Sequence, residues 1–154
     1  DAVTTMCLCD FDGDGEMELI IGSPDSELRI FKNDLMRAEL LETDAVVVLQ
    51  GFDKNRFGYA LANGTVGMYQ KDQRLWRIKS KSVITAILPY PNDDMVTCIW
   101  NSGKIDVRSI SESGEVVCRN SAIAGQTVVA GFTSHMEKYD QLEFTVVTMD
   151  GKGR

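Results

Sequence analysis

The sequence has 154 residues and a single histidine, His135, and it contains no G-x-S-x-G, no G-x-x-x-x-G-K-S/T and no paired Cys/His arrangement. A catalytic triad, a phosphate-cradling loop and a zinc site each need one of those patterns, so the sequence predicts no enzyme. No apolar run approaches the roughly 18 residues of a membrane-spanning helix, and a cleavable signal peptide is missing as well. The chain opens at Asp1 and stops at Gly151-Lys152-Gly153-Arg154, a turn-like string, and so reads as an excised portion of a longer protein. Basic clusters are scarce too. The net charge is -7, with 12 acids against 3 bases over residues 1–44 and 11 against 13 over residues 45–154. A nucleic-acid partner would need a clustered basic face, so none is expected, and attention turns to the acidic segment. The four cysteines, Cys7, Cys9, Cys98 and Cys118, show neither C-x-x-C spacing nor a dense framework, which predicts free, buried thiols in a reducing compartment.

What is present is a succession of short segments rich in Val, Ile, Leu and aromatics, each closed by Gly, Asn, Asp, Ser or Pro, the signal of β-strands. Four candidates lie at 5–9, 18–22, 27–31 and 37–41, and four more at 46–49, 58–61, 65–69 and 74–78. A third set follows at 83–88, 95–100, 104–108 and 115–118, and a fourth begins with 128–130 and 144–147. Small turn pairs recur between the second and third strand of each set: Asp25-Ser26, Asn63-Gly64, Ser102-Gly103 and Asp150-Gly151, with second members 38, 39 and 48 positions apart. A period near 40 with four strands per unit is the pattern of propeller blades. The predicted fold is all-β: a partial β-propeller of about four antiparallel blades, at 1–44, 45–81, 82–120 and an incomplete 121–154. An arc of this length does not close, so its end faces need cover from further blades of the same full-length chain or from another copy.

The sharpest local motif is Asp10-Phe11-Asp12-Gly13-Asp14-Gly15-Glu16-Met17-Glu18, between the first two strand candidates. Its D-x-D-x-D-G-x-x-E spacing is that of a Ca2+ loop. Carboxylates of Asp10, Asp12 and Asp14 converge on a tight turn, the Glu16 backbone carbonyl adds a ligand, and Glu18 closes the shell. An EF-hand is excluded, because position twelve is Ile21 and strands flank the loop. The alternative is a solvated turn whose carboxylates bond their own backbone amides without an ion.

Several stretches together resemble the Bardet-Biedl syndrome 2 family of BBSome subunits. They are Cys9-Asp10-Phe11-Asp12-Gly13-Asp14-Gly15 with Glu18-Leu19 and Gly22-Ser23, Arg56-Phe57-Gly58-Tyr59-Ala60-Leu61, and Asn63-Gly64-Thr65-Val66-Gly67. Trp76-Arg77-Ile78-Lys79-Ser80-Lys81, Asn101-Ser102-Gly103-Lys104 and Ser121-Ala122-Ile123-Ala124-Gly125 complete the set. The resemblance implies part of an amino-terminal propeller in a non-catalytic coat subunit that moves membrane proteins into and out of cilia. It also implies partners: other BBSome subunits, notably Bardet-Biedl syndrome proteins 7 and 9, an Arf-like GTPase, and ciliary membrane-protein cargo. The implied location is the cytoplasm, the basal body and the cilium with its membrane. The sequence departs from the expected pattern in its third and fourth blades, where Pro91-Asn92-Asp93-Asp94 and Ser134-His135-Met136-Glu137-Lys138 replace an acidic loop. An extracellular Ca2+-binding propeller of the integrin type, acting in adhesion or lectin-like binding, is the alternative class, and a glycan on Asn63 of Asn63-Gly64-Thr65 would belong to it.

Arg77, Lys79 and Lys81 alternate with Ile78 and Ser80, so a strand would project all three cations from one face. Together with Trp76 they form the candidate partner-binding strip, for an acidic subunit or anionic lipid headgroups. The competing reading is a solvated outer strand whose charges block edge-to-edge association, with Trp76 and Trp100 packed between blades or under the strip.

Overall fold

The computed structural model describes residues 2–90, 94–111, 113–120, 127–136 and 141–153. Fourteen strands and no helix occur among them. The first sheet is β1 (Thr5–Cys9), β2 (Glu18–Gly22), β3 (Glu27–Lys32) and β4 (Leu35–Leu41). The second is β5 (Val46–Phe52), β6 (Arg56–Leu61), β7 (Thr65–Gln70) and β8 (Gln73–Lys79). The third is β9 (Ile84–Pro89), β10 (Met95–Trp100), β11 (Ile105–Ser109) and β12 (Val116–Asn120), and β13 (Val128–Met136) pairs with β14 (Gln141–Thr148). Within every sheet the strands are antiparallel and neighbour each other in chain order. The expected all-β, open propeller arc is therefore the observed fold.

The recurring turns explain why the meander repeats. Ser26, Gly64, Gly103 and Gly151, the second members of the four turn pairs, have φ of 71°, 85°, 84° and 78°. A positive φ at this point reverses the chain tightly enough for the next strand to lie back on its predecessor. In the last sheet His135 belongs to β13, opposite Leu142. The Ser121–Gly125 string, residues 91–93 and residues 137–138 lie outside the described residues.

Each apolar core lies between successive sheets. Ile20, Leu28 and Ile30 of the first sheet meet Leu49, Phe57 and Tyr59 of the second. Ala60, Met68 and Trp76 on the opposite face of the second sheet meet Ile87, Cys98 and Trp100 of the third. Ile99 of the third meets Val128 and Val146 of the last. Both faces of β6 are thus buried along its whole length, which is why the alternation of apolar and polar residues fades there. The first strands of consecutive sheets adjoin at the inner rim. The approach is close: a Cβ on Gly51 of β5 would overlap the Leu8 carbonyl of β1. At the far side β4, β8 and β12 end their sheets. The outward face of the first sheet exposes Met6, Leu8, Leu19 and Met36.

Candidate functional site

The acidic loop joins β1 to β2, so its sequence starts and ends on paired strands that hold Cys9 opposite Glu18. Its carboxylates first organise its own backbone. Asp10 accepts from the amides of Gly13 at 2.8 Å and Gly15 at 3.2 Å. Asp12 accepts from the Asp14 amide at 3.2 Å, and Asp14 from the Glu16 amide at 2.9 Å. The buried Glu18 carboxylate closes the turn by accepting the Phe11 amide at 2.7 Å. Gly13 and Gly15, at φ of 85° and 89°, provide the two reversals. The loop is fastened to the next sheet by the Asn55 side-chain amide, which donates to the Asp10 carbonyl at 2.7 Å.

A cation completes the loop, and it comes from the chain itself. Lys32, the last residue of β3, places its ammonium 3.2 Å from Glu18, 3.4 Å from Asp12 and 3.6 Å from Glu16, and it bonds Asp14 directly. The hydrogen bond from Lys32 holds the Asp14 carboxyl below the usual carboxylate range, and the same bond holds the Lys32 ammonium above its ordinary value. Sequence reading missed Lys32, although the β2–β3 register carries the signal. Leu19 stands opposite Phe31, so the next pair outward is Glu18 and Lys32.

Of the five expected Ca2+ ligands, Asp10, Asp12 and Glu18 have carboxylate oxygens within 4.8 Å of one another. The donors are of the right type, hard oxygens on a tight turn. The Asp14 carboxylate is turned to Lys32, as is the largely exposed Glu16 carboxylate, a group separate from the Glu16 backbone carbonyl expected as ligand. A divalent ion would thus have to displace an ammonium that is already paired with Asp12, Asp14 and Glu18.

The cationic strip divides. Arg77 and Lys79 are exposed on β8, and Lys81 is exposed just beyond its end. Trp76 does not join them: it is 7% exposed, packs against the third sheet and donates its indole N–H to the Ile110 carbonyl at 2.8 Å. The expectation that it takes part in partner binding is corrected for a steric reason, since neighbouring residues on a strand point to opposite faces. Asn63 spends its side chain on the Thr65 amide at 3.0 Å and reaches the Thr43 hydroxyl at 3.5 Å, a turn-stabilising role.

Two buried charge clusters also escaped the sequence reading. Glu42 accepts from the Tyr69 hydroxyl at 2.6 Å and from Arg74 at 2.8 Å, tying the β4–β5 connection to the second sheet. Burial, reinforced by the Glu42 carboxylate, pushes the Tyr69 phenol up to about 12. Asp106 of β11 is fully buried and accepts from Trp100 Nε1 at 3.1 Å, Arg108 at 2.9 Å and Arg119 at 2.9 Å, with Lys104 3.3 Å away. Burial alone would raise its pKa, but hydrogen bonds from Arg119 and Arg108 and the charge of Lys104 outweigh it, so the carboxyl stays below its ordinary value. Both carboxylates are bonded by neighbours within the chain, while Glu42 Oε2 and Arg108 Nε stay buried without a hydrogen-bond partner among the described residues. None of the four cysteines is paired, and Cys118 is exposed, unlike the buried thiols expected.

A family model described as ciliary BBSome complex subunit 2, middle region, matches residues 5–108. The chain is 46% identical over 152 residues to BBSome complex member bbs-2 of Caenorhabditis elegans, covering 99% of this chain and 21% of that protein. It is 48% identical over 132 residues to human BBSome complex member BBS2, covering 81% of this chain and 18% of that protein. The chain therefore spans about a fifth of the length of these curated relatives. Among solved structures, BBS1N in its complex with ARL6DN superposes with a TM-score of 0.79 at 20% identity, over 99% of this chain and 49% of that one, a likeness of fold.

Proposed function

This chain belongs to the ciliary BBSome complex subunit 2 family, and from that membership we propose that it is one arc of a propeller that serves the complex as a non-catalytic interaction scaffold in traffic of membrane proteins to and from cilia. The observation that carries the reading is where the chain keeps its chemistry. Its buried ionisable groups, Glu18, Glu42 and Asp106, are engaged with lysine, arginine, tyrosine and backbone partners. What it offers outward is surface: apolar side chains on the first sheet and cations on β8. Such surfaces bind rather than react. The apolar face of the first sheet suits a further blade of the full-length chain, and the outer edges suit other subunits. Bardet-Biedl syndrome proteins 7 and 9 are the partners proposed, with an Arf-like GTPase and cargo engaged through the complex in the cytoplasm and at the cilium.

The acidic loop serves this scaffold as a clasp between the first two sheets, through Asn55 and Lys32. Ca2+ enters it in exchange for the Lys32 ammonium. The scaffold reading is tested by recovering the full-length protein from ciliated cells with its bound partners. Co-purification of BBSome subunits in stoichiometric amounts is expected. Recovery free of them, or with a turnover activity that copurifies with this subunit alone, would overturn it.

A further inference from the structure

The edge of β8 differs from the other outer edges in one respect. On β4, Arg37 is a single exposed cation and Glu39 engages Arg29 of β3, and on β12, Arg119 is bonded to Asp106. At the start of β8, Arg74 is bonded to Glu42. Farther along, Arg77, Lys79 and Lys81 are exposed, and no carboxylate among the described residues stands within ion-pair reach of them. Three like charges left uncompensated on a chain of net charge -7 form a local positive field.

The backbone register shows what else this edge offers. Thr65 stands opposite Lys79 and Gly67 opposite Arg77, and the next pair outward, Gly64 and Ser80, is joined by a bond from the Ser80 amide to the Gly64 carbonyl at 3.0 Å. In an antiparallel ladder, hydrogen-bonded and non-hydrogen-bonded pairs alternate. The Ser80 and Ile78 positions therefore turn their backbone groups toward β7, and Arg77 and Lys79 turn theirs away from it, to the free side. The two residues that carry the unpaired cations thus also present the vacant N–H and C=O groups. Their side chains rise on the face turned toward the first sheet, beside an open recess of about 500 Å3 lined by Thr43, Asn63, Thr65, Arg77, Ile78 and Lys79. On the opposite face Ile78 is half-buried beside Trp76. A bulge at Leu75 ends the regular stretch, leaving about five residues, Trp76 to Ser80, for pairing.

We propose that this edge receives an extended acidic segment of a partner protein, added as a fifth strand whose alternate carboxylates pair with Arg77 and Lys79 and whose intervening apolar residues lie beside Ile78. Main-chain hydrogen bonds supply affinity in strand addition, and alternate side chains supply selectivity. The partner is thereby defined by pattern: acidic and apolar residues in strict alternation, over about five residues. The inference rests on the scaffold reading, but it fails separately. Loss of peptide binding with intact recovery of BBSome subunits would remove this edge site alone.

The test uses the full-length protein and a fluorescein-labelled peptide of alternating Val and Glu, read by anisotropy. Three controls accompany it: the peptide with Lys for Glu, the Val/Glu peptide N-methylated on the amides of one edge, and phosphatidylserine vesicles. Saturable binding of the Val/Glu peptide is expected, weakening as salt rises. Reversal of both charges, Arg77→Glu with Lys79→Glu, is expected to weaken it about tenfold or more with an unchanged melting temperature. The Lys peptide is expected not to bind, and methylation of one of the two edges of the Val/Glu peptide, the edge that meets β8, is expected to abolish binding. Equal binding by the double variant, or by the N-methylated peptide on both of its edges in turn, would overturn the proposal. So would binding of vesicles through these cations without binding of the peptide, which would assign the strip to a membrane surface.

Discussion

Asp106 gives the strongest single perturbation. Its buried carboxylate is the common acceptor for the Trp100 indole, Arg108 and Arg119. In Asp106→Ala the Arg108 side chain, 9% exposed, keeps its charge and its bond to the Gly114 carbonyl but loses its counter-ion, and the Trp100 N–H loses its acceptor. Stranding one partner of a buried pair costs about 3–5 kcal/mol. Arg119 and Lys104 are 55% and 31% exposed and return to water, adding at most about 1 kcal/mol. The expected loss is therefore about 3–5 kcal/mol, a large fraction of the 5–15 kcal/mol typical of a folded domain. Asp106→Asn, which keeps an acceptor oxygen, is expected to cost about 1–3 kcal/mol. The assay is urea unfolding of the full-length protein followed by tryptophan fluorescence, to which the buried Trp76 and Trp100 contribute. Asp106→Ala combined with Arg108→Met is expected to cost less than the two single changes summed, because the second removes the charge the first strands. The pH dependence has a definite sign. The folded pKa of Asp106 is depressed, so its contribution is present above the unfolded value near 3.9 and is lost as pH falls through the folded value. Asp106→Asn should lack that acid-linked loss. A cost below about 1 kcal/mol for Asp106→Ala, or strict additivity with Arg108→Met, would refute the reasoning.

Three further outcomes are expected. Lys32→Met should bind Ca2+ at least about tenfold more tightly than the unaltered protein in calorimetry, because it frees Asp12, Asp14 and Glu18 of a competing cation; identical heats would show that Lys32 does not hold the ion's place. Trp76→Ala should cost about 3–5 kcal/mol in the same unfolding assay, since the ring fills the space between the second and third sheets, and a cost near zero would mean that the ring faces solvent. With a thiol reagent at neutral pH, Cys118 should react in the folded protein, whereas Cys9 and Cys98 should react only after denaturation, both being buried and their thiols pushed up to about 11 and about 12. Rapid reaction of Cys98 would contradict the closed packing around β10.

The legible and illegible parts of this protein separate along a physical line. Strands, turns and their repeat were readable because each depends on residues adjacent in the chain. Asn63-Gly64 and Ser102-Gly103 announce positive φ locally, and a spacing near 40 announces a repeating four-strand unit. The acidic motif was readable for the same reason, as was the exposure of Arg77 and Lys79 by their alternation. Trp76 stood between two readings, packed between blades or exposed to a partner, because a blade buried on both faces leaves an apolar residue no preferred side until the neighbouring sheet is in place. Cys118 was misjudged similarly: its strand ends a sheet, and sheet order is not written in any short window.

The charges make the distinction sharpest. Composition and spacing alone determined that residues 10–18 gather carboxylates on one turn and that the chain is all-β with a propeller repeat. Only the tertiary structure decided what those carboxylates face: Lys32, fourteen residues beyond Glu18, is brought to them by the pairing of β2 with β3. It likewise decided that Glu42 and Asp106 would be buried and paired with arginines while the cations of β8 were left outside. The reason is that Coulomb energy depends on separation in space and on the water between two groups, and both are set by strand register and sheet stacking.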